Sequence, residues 1–110
     1  AEPSASERAE GVALLQRLAE WGMPQGLCAH AYCLFDAGDA AAAIQCHQRA
    51  ASAGYGQSML ELGIIYYTGE WSEEGVPADE ALAASWLQRA AERGGNSSAM
   101  FLWGECLLEG

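Results

Sequence analysis

Apolar and polar residues follow the same order three times along the chain. Three segments, which start at Glu7, Asp39 and Asp79, have an acidic first residue, a small residue four positions later, a shared Gln-Arg pair and a closing glycine. An acidic start suits a helix N-terminus, a closing glycine suits a C-terminal cap, and none of the segments contains proline. The pattern therefore predicts three helices, called type B here, near 7–21, 40–53 and 79–93.

Three mainly apolar segments lie between and after the type B helices, and they align on one small residue, at Ala31, Gly63 and Gly104. A shift of 32 residues maps Ala31 onto Gly63, and the same shift relates the closing glycines of the first two type B segments. One period therefore contains both kinds of helix, as in helix-turn-helix repeats. The second kind, called type A, is predicted near 25–37, 57–69 and 98–109.

The third type B segment comes eight residues later than the period requires, and the extra residues fall in 70–78. This insertion is predicted to be a loop. Short turns elsewhere predict stacked antiparallel hairpins, with about six helices in the order B, A, B, A, B, A. Residues 1–6 are predicted to form a disordered tail, and residues 7–110 to form one repeat domain.

One period carries a more specific pattern. Between residues 58 and 94 the chain contains, in order, Leu62-Gly63, Tyr66, Gly69, Gly75-Val76, Asp79, Ala83, Trp86, Ala90-Ala91 and Gly94. This order closely resembles the Sel1-like repeat, a relative of the tetratricopeptide repeat, although Ser58 stands where that family prefers alanine. The resemblance implies an all-α fold, an α/α solenoid wound as a right-handed superhelix, and a role as an adaptor or assembly scaffold.

The resemblance also implies that type A helices line the concave face of the solenoid. On a helical wheel, Leu27, Ala31 and Leu34 face type B partners, and the residues on the other side point to the groove. An almost wholly apolar type A helix from Met59 to Tyr67 needs cover on that second face, either from adjacent repeats or from a partner. Both explanations stay open. The candidate groove residues are Cys28, Tyr32, Phe35, Leu60, Ile64, Tyr67, Phe101 and Leu108.

The inserted loop is a second candidate site. Glu70, Trp71, Glu73 and Glu74 combine negative charge with an aromatic side chain that could anchor a basic peptide. The alternative is an ordinary solvated loop. The final type A segment is a further candidate contact surface, because no type B segment follows Phe101 and its neighbours in this sequence. Two explanations stay open: the chain is part of a longer array, or this helix packs on a second chain.

Charge narrows the classes of partner. Fifteen acidic residues against five arginines and no lysine give a net charge of −10, which repels nucleic acid and anionic lipid. A partner with a basic patch fits this charge, although an acidic balance also simply promotes solubility. No apolar run approaches the roughly 20 residues needed to span a bilayer. The compartment stays open, since the N-terminal segment 1–4 fits a processed periplasmic or organellar protein as well as a shortened cytoplasmic one.

The sequence indicates no catalytic or cofactor chemistry, because it has neither lysine nor a glycine-rich phosphate loop. One group of side chains could still hold a metal: His30, Cys33, Cys46 and His47, two of each type that zinc accepts. However, His30 and His47 align with apolar core positions of the other repeats, which favours buried, hydrogen-bonded histidines. A disulfide between Cys33 and Cys46 is a further alternative.

These observations predict a non-enzymatic protein–protein interaction module that binds a protein or peptide in the type A groove. Two alternatives remain from the sequence. One is a structural or assembly-factor segment of a larger complex, and the other is an inhibitor or immunity-type protein that blocks a partner enzyme.

Overall fold

The computed structural model describes residues 4–94 and 96–109, and within them the chain is helical with no β-strand. This confirms the predicted all-α class and the six helices. None of these helices is long and apolar enough to cross a membrane. The helices are α1 (Ala5–Glu20), α2 (Pro24–Asp36), α3 (Ala40–Ser52), α4 (Gly56–Thr68), α5 (Glu80–Gly94) and α6 (Ser97–Glu109), with a short 3-10 turn at Ser72–Glu74.

Polar side chains cap the N-termini of the type B helices. Asp39 and Asp79 each accept a hydrogen bond from a backbone N–H three residues later, at 3.2 and 3.0 Å, as an N-cap residue does. At α1 the cap is Ser4, whose hydroxyl oxygen accepts from the backbone N–H of Glu7. Helix α1 therefore begins at Ala5, within the segment predicted as a tail, and residues 1–3 of that segment lie outside the described residues.

The helices stack in sequence order into an elongated body of 48 × 30 × 27 Å. Each helix packs mainly against its neighbours along the chain, and the closest pairs are α2 with α3 and α4 with α5. These are the two complete type A and type B hairpins, so the repeat architecture predicted from the period is confirmed.

Small residues allow the two helices of a hairpin to approach closely. Ala31 on α2 and Ala43 on α3 are fully buried in the first hairpin, in one cluster with Cys46. In the second hairpin, a Cβ added to Gly63 would lie 2.6 Å from the Leu87 side chain. Glycine at 63 thus makes room for Leu87.

The contacts between successive hairpins also depend on side-chain size. Gly26 on α2 lies directly against Leu18 on α1, with no space for a Cβ. At the next contact, Ser58 on α4 and the equivalent type B residue Ala50 are both fully buried. At the first junction, the large Leu18 thus lies against a glycine. At the second junction, the equivalent positions hold the small Ala50 and a serine, which has a side chain.

The inserted segment 70–78 is an ordered loop. Val76 is buried in the main core cluster, and its backbone N–H donates to the carbonyl oxygen of Trp71 at 3.0 Å. The backbone N–H of Asp79 donates to the carbonyl oxygen of Tyr66, which ties the end of the loop to α4. The loop thus leaves α4 and returns to it at the start of α5.

Candidate partner-binding surface

The candidate groove residues divide into buried and exposed sets. Cys28 and Leu60, which were expected to face the groove, are buried. Leu60 belongs to the main core cluster, which holds residues from α3, α4 and α5. Packing between adjacent repeats therefore covers part of the second apolar face, and these two residues are removed from the surface that a partner could touch.

The middle of the type A surface remains accessible. Tyr32 on α2 is 42% exposed, and Ile64 and Tyr67 on α4 are half-buried. Partial burial raises the pKa of Tyr32, and the negative charge of nearby Glu61 adds to the effect. Glu61 lies on α4, so a charge on α4 acts on the exposed tyrosine of α2.

Tyr67 links α4 to α6. Its hydroxyl donates a hydrogen bond to the Glu109 carboxylate at 3.4 Å, and the Glu109 charge raises the pKa of Tyr67. Beside this contact lies a pocket of about 250 Å³ between α4, α5 and α6, lined also by Glu80 and Cys106. Sequence reasoning missed this pocket, because helical spacing shows the direction of a side chain but not the distance between two helices.

The acidic loop lies against α2. The rings of Trp71 and Phe35 stack with centroids 4.7 Å apart and planes inclined by 29°. Trp71 therefore packs against another aromatic ring, and both Trp71 and Phe35 are half-buried. The stack ties the loop to α2, and Glu70, Glu73 and Glu74 on the same loop are exposed.

Helix α6 exposes large apolar side chains. Phe101 and Leu108, the two candidate groove residues on this helix, are both exposed, and Leu108 is 90% accessible. Only Ala99 is buried among the described residues of α6. Leu102, Trp103 and Cys106 on the same helix are half-buried against the main core cluster, so α6 has one packed side and one exposed apolar side.

The two histidine candidates have different partners and do not form one cluster. His30 Nδ1 lies 3.8 Å from Cys46 Sγ, whereas His47 Nδ1 lies 3.1 Å from Ser58 Oγ in a hydrogen bond between α3 and α4. Among the described residues, no three metal-binding side chains converge. Cys33 and Cys46 are both free thiols, so the predicted alternative of a disulfide between them is not present.

His47 is fully buried, as its alignment with core leucines predicted. The ring packs edge-on against Tyr32, with centroids 5.6 Å apart, and also contacts Phe35. Burial lowers the pKa of His47 to about 4, so the ring is neutral at pH 7. Its Nε2 atom has no hydrogen-bond partner among the described residues. His47 therefore has a structural role, because its buried ring packs against the side chain of Tyr32.

The sequence model of the Sel1 repeat matches residues 24–55, 56–95 and 97–110, which together form most of the chain. The chain belongs to the Sel1-repeat family. No curated protein and no solved structure gave a significant match. The first two Sel1 matches coincide with the hairpins α2–α3 and α4–α5, and the third covers α6. Sel1 repeats are generally protein-interaction modules and typically act as non-enzymatic scaffolds.

Proposed function

We propose that this chain is an adaptor that binds a protein segment across its type A helices. Tyr32 and Ile64 form the centre of the proposed site, Tyr67 extends it toward α6, and Phe101 and Leu108 continue it along that helix. The observation that carries the proposal is the exposure of Tyr32 on a rigid helical base, where His47 packs against its ring. A rigid, amphipathic tyrosine is a typical interface anchor.

Charge supports a basic partner segment. Glu70, Glu73 and Glu74 are exposed on the loop whose Trp71 stacks on Phe35 of α2, and the negative charge of Glu61 acts on Tyr32. The net charge of −10 attracts a positively charged segment over a distance of about 10 Å at moderate ionic strength. Binding of such a segment should therefore weaken as salt is added, mainly through slower association.

The test is selection of binders from a library of random displayed peptides against the purified chain. We expect the selected peptides to combine lysine or arginine with an aromatic or aliphatic residue. Tyr32→Ala should weaken their binding by about fivefold to thirtyfold, because truncation of an interface anchor costs about 1–2 kcal/mol. Isothermal calorimetry measures the affinity, and circular dichroism checks that the variant is folded.

Leu82→Ala is the matched control, since Leu82 is an exposed apolar residue on α5 outside the proposed site. A second variant with Glu70, Glu73 and Glu74 all changed to Gln should slow association and reduce its salt dependence. Equal affinity of the Tyr32→Ala and Leu82→Ala variants for every selected peptide would exclude the site.

One observation favours the alternative of a structural segment within a larger assembly. Phe101 and Leu108 are more exposed than is usual for large apolar residues of a free monomer. An assembly segment would keep these side chains permanently covered. If Phe101→Ala and Leu108→Ala changed assembly but left peptide binding intact, the α6 surface would serve assembly and not the groove.

A further inference from the structure

The link between α4 and α5 is longer than a hairpin requires. Residues 37–39 are enough to join α2 to α3, whereas residues 69–79 join α4 to α5. The longer link reaches back to the preceding repeat, where the Trp71 ring stacks on Phe35 of α2 with centroids 4.7 Å apart. The extra residues therefore make a contact that closure of their own hairpin does not need.

The tip of this loop is held on α2 by the Trp71 side chain. Within residues 70–75, here called the loop tip, Trp71 is half-buried and the other residues are exposed. The backbone N–H groups of residues 72 and 74–76 donate to carbonyl oxygens within 69–72, so these hydrogen bonds stay inside the loop. Release of the Trp71 ring from Phe35 would break none of them.

Glycines at both ends of the loop tip allow its backbone to change direction. Gly69 and Gly75 have φ angles of +67° and +91°, in the left-handed region that glycine enters readily. The next residue, Val76, is buried in the main core cluster. The loop tip is therefore a short flap on a fixed base.

The place that Trp71 fills adjoins the proposed anchor Tyr32. The buried ring of His47 contacts both Tyr32 and Phe35, with centroids 5.6 and 6.0 Å away. Tyr32 and Phe35 are also three residues apart on α2, a spacing that places two side chains on the same side of a helix. A ring that stacks on Phe35 is thus close to Tyr32.

We propose that Trp71 occupies, in the free chain, the place that an aromatic side chain of the partner segment takes in the complex. The partner's ring would stack on Phe35 while the loop tip moves off α2. An aromatic ring is the expected occupant because Trp71 itself shows which shape this place accepts. Basic residues beside that ring would meet the exposed glutamates of the loop tip. Because the partner's ring lies next to Tyr32, this gating rests on the proposed function.

The internal contact competes with the partner. The apparent affinity of a ligand falls in proportion to the fraction of chains that are open to it. One aromatic stacking contact corresponds to about threefold to tenfold in an equilibrium constant. Trp71→Ala should therefore tighten partner binding by about threefold to tenfold. This effect is opposite in sign to the weakening expected for Tyr32→Ala.

The experiment selects displayed random peptides in parallel on the unmodified chain and on Trp71→Ala, and then measures affinities by calorimetry. Trp71→Phe keeps a ring for Phe35 and should bind like the unmodified chain. Gly75→Ala keeps the tryptophan but strains the closed loop tip at a positive φ, so it should also tighten binding. Trp86→Ala is the matched control, because Trp86 is another half-buried tryptophan packed on the main core cluster. Circular dichroism checks the folding of each variant.

Fluorine NMR of the chain labelled with 5-fluorotryptophan reports on the displacement directly. The Trp71 signal is the one that Trp71→Phe lacks. We expect a selected peptide to move this signal toward its position in the unfolded chain. A Trp71 signal that stays in place at saturating peptide would overturn the proposal.

The affinities separate this inference from the proposed function. Peptides that bind Trp71→Ala more tightly, or that are recovered on Trp71→Ala alone, would support the gating. Weaker binding to a folded Trp71→Ala would show that Trp71 contacts the partner in place, and equal affinity would show that the loop takes no part. Both results overturn the gating and leave the Tyr32 site standing, provided that Tyr32→Ala weakens binding. If neither chain yields a peptide that depends on Tyr32, the proposed function fails as well. If Trp71→Ala does not fold, Gly75→Ala and the fluorine signal decide.

Discussion

His47 and Ser58 are two polar residues at positions where other repeats are apolar or small. His47 corresponds to Leu15 and Leu87, and both His47 and Ser58 are fully buried. A buried polar group destabilises a fold unless it is hydrogen-bonded, and here each residue supplies the other with a partner. The pair therefore acts as a unit, and the loss of either residue leaves the other less well satisfied.

This pair makes stability depend on pH. The pKa of His47 is lowered from 6.5 to about 4 in the folded chain, so the unfolded chain binds an extra proton between these values. The contribution of neutral His47 to the free energy of unfolding is fully present above pH 6.5 and is lost as the pH falls toward 4. Within this window the free energy of unfolding should decrease by up to about 1.4 kcal/mol per pH unit.

Urea denaturation at a series of pH values measures this effect, and the His47→Leu variant is the control. The many carboxylates of the chain titrate in both proteins, so the difference between the two curves isolates the histidine. We expect the stability of the unmodified chain to fall more steeply than that of His47→Leu between pH 6.5 and 4. If stability fell with the same slope in both proteins, unfolding would not change the protonation of His47.

At the scale of the helix, Gly63 and Gly104 are a matched pair, because they occupy the same repeat position in different environments. Gly63→Ala should destabilise the chain by about 1–3 kcal/mol, since the new Cβ would collide with the buried Leu87 side chain. Gly104→Ala should stabilise it by about 0.5–1 kcal/mol, since alanine is the better helix former and has free space.

Thermal and chemical unfolding of the two variants at low concentration measures the difference. Leu87→Ala provides a further control, because it removes the atoms that the new Cβ would meet. The combined Gly63→Ala and Leu87→Ala variant should be less destabilised than the sum of the single changes. A stabilising Gly63→Ala would contradict the close approach of α4 and α5.

The sequence predicted the helices well because their determinants are local. Asp39 and Asp79 cap the helices that their positions predicted, and the 32-residue period revealed which helices pair. The side-chain environment was harder to predict. His30 and His47 are equally far along the chain from the turn at Gly38-Asp39, yet their side chains contact different partners. Their actual partners, Cys46 and Ser58, depend on helix rotation and on contact between repeats.

Across the whole molecule, packing is unevenly distributed. Helix α4 buries residues along most of its length, whereas α1 buries only Ala19 and the described part of α6 only Ala99. Stability in repeat proteins is approximately the sum of contributions from individual repeats and their nearest-neighbour interfaces. The two outer helices should therefore open more readily than the central hairpins.

Hydrogen exchange with mass spectrometry tests this distribution. At low concentration, backbone amides in α1 and α6 should exchange fastest, and those in α4 and α5 slowest. Uniform protection along the chain would contradict the view that the outer helices are the weakest part.

The match between Leu18 and Gly26 has a consequence for how such a chain could evolve or be redesigned. If the α4–α5 hairpin were transplanted directly after α1, Ser58 would bring a Cβ against Leu18, where the native contact has no room for one. A duplicated α2–α3 hairpin would place Gly26 against Ala50 and leave a void. Hairpins of this chain are therefore not interchangeable building blocks, and any duplication or exchange would require a second substitution at the new junction.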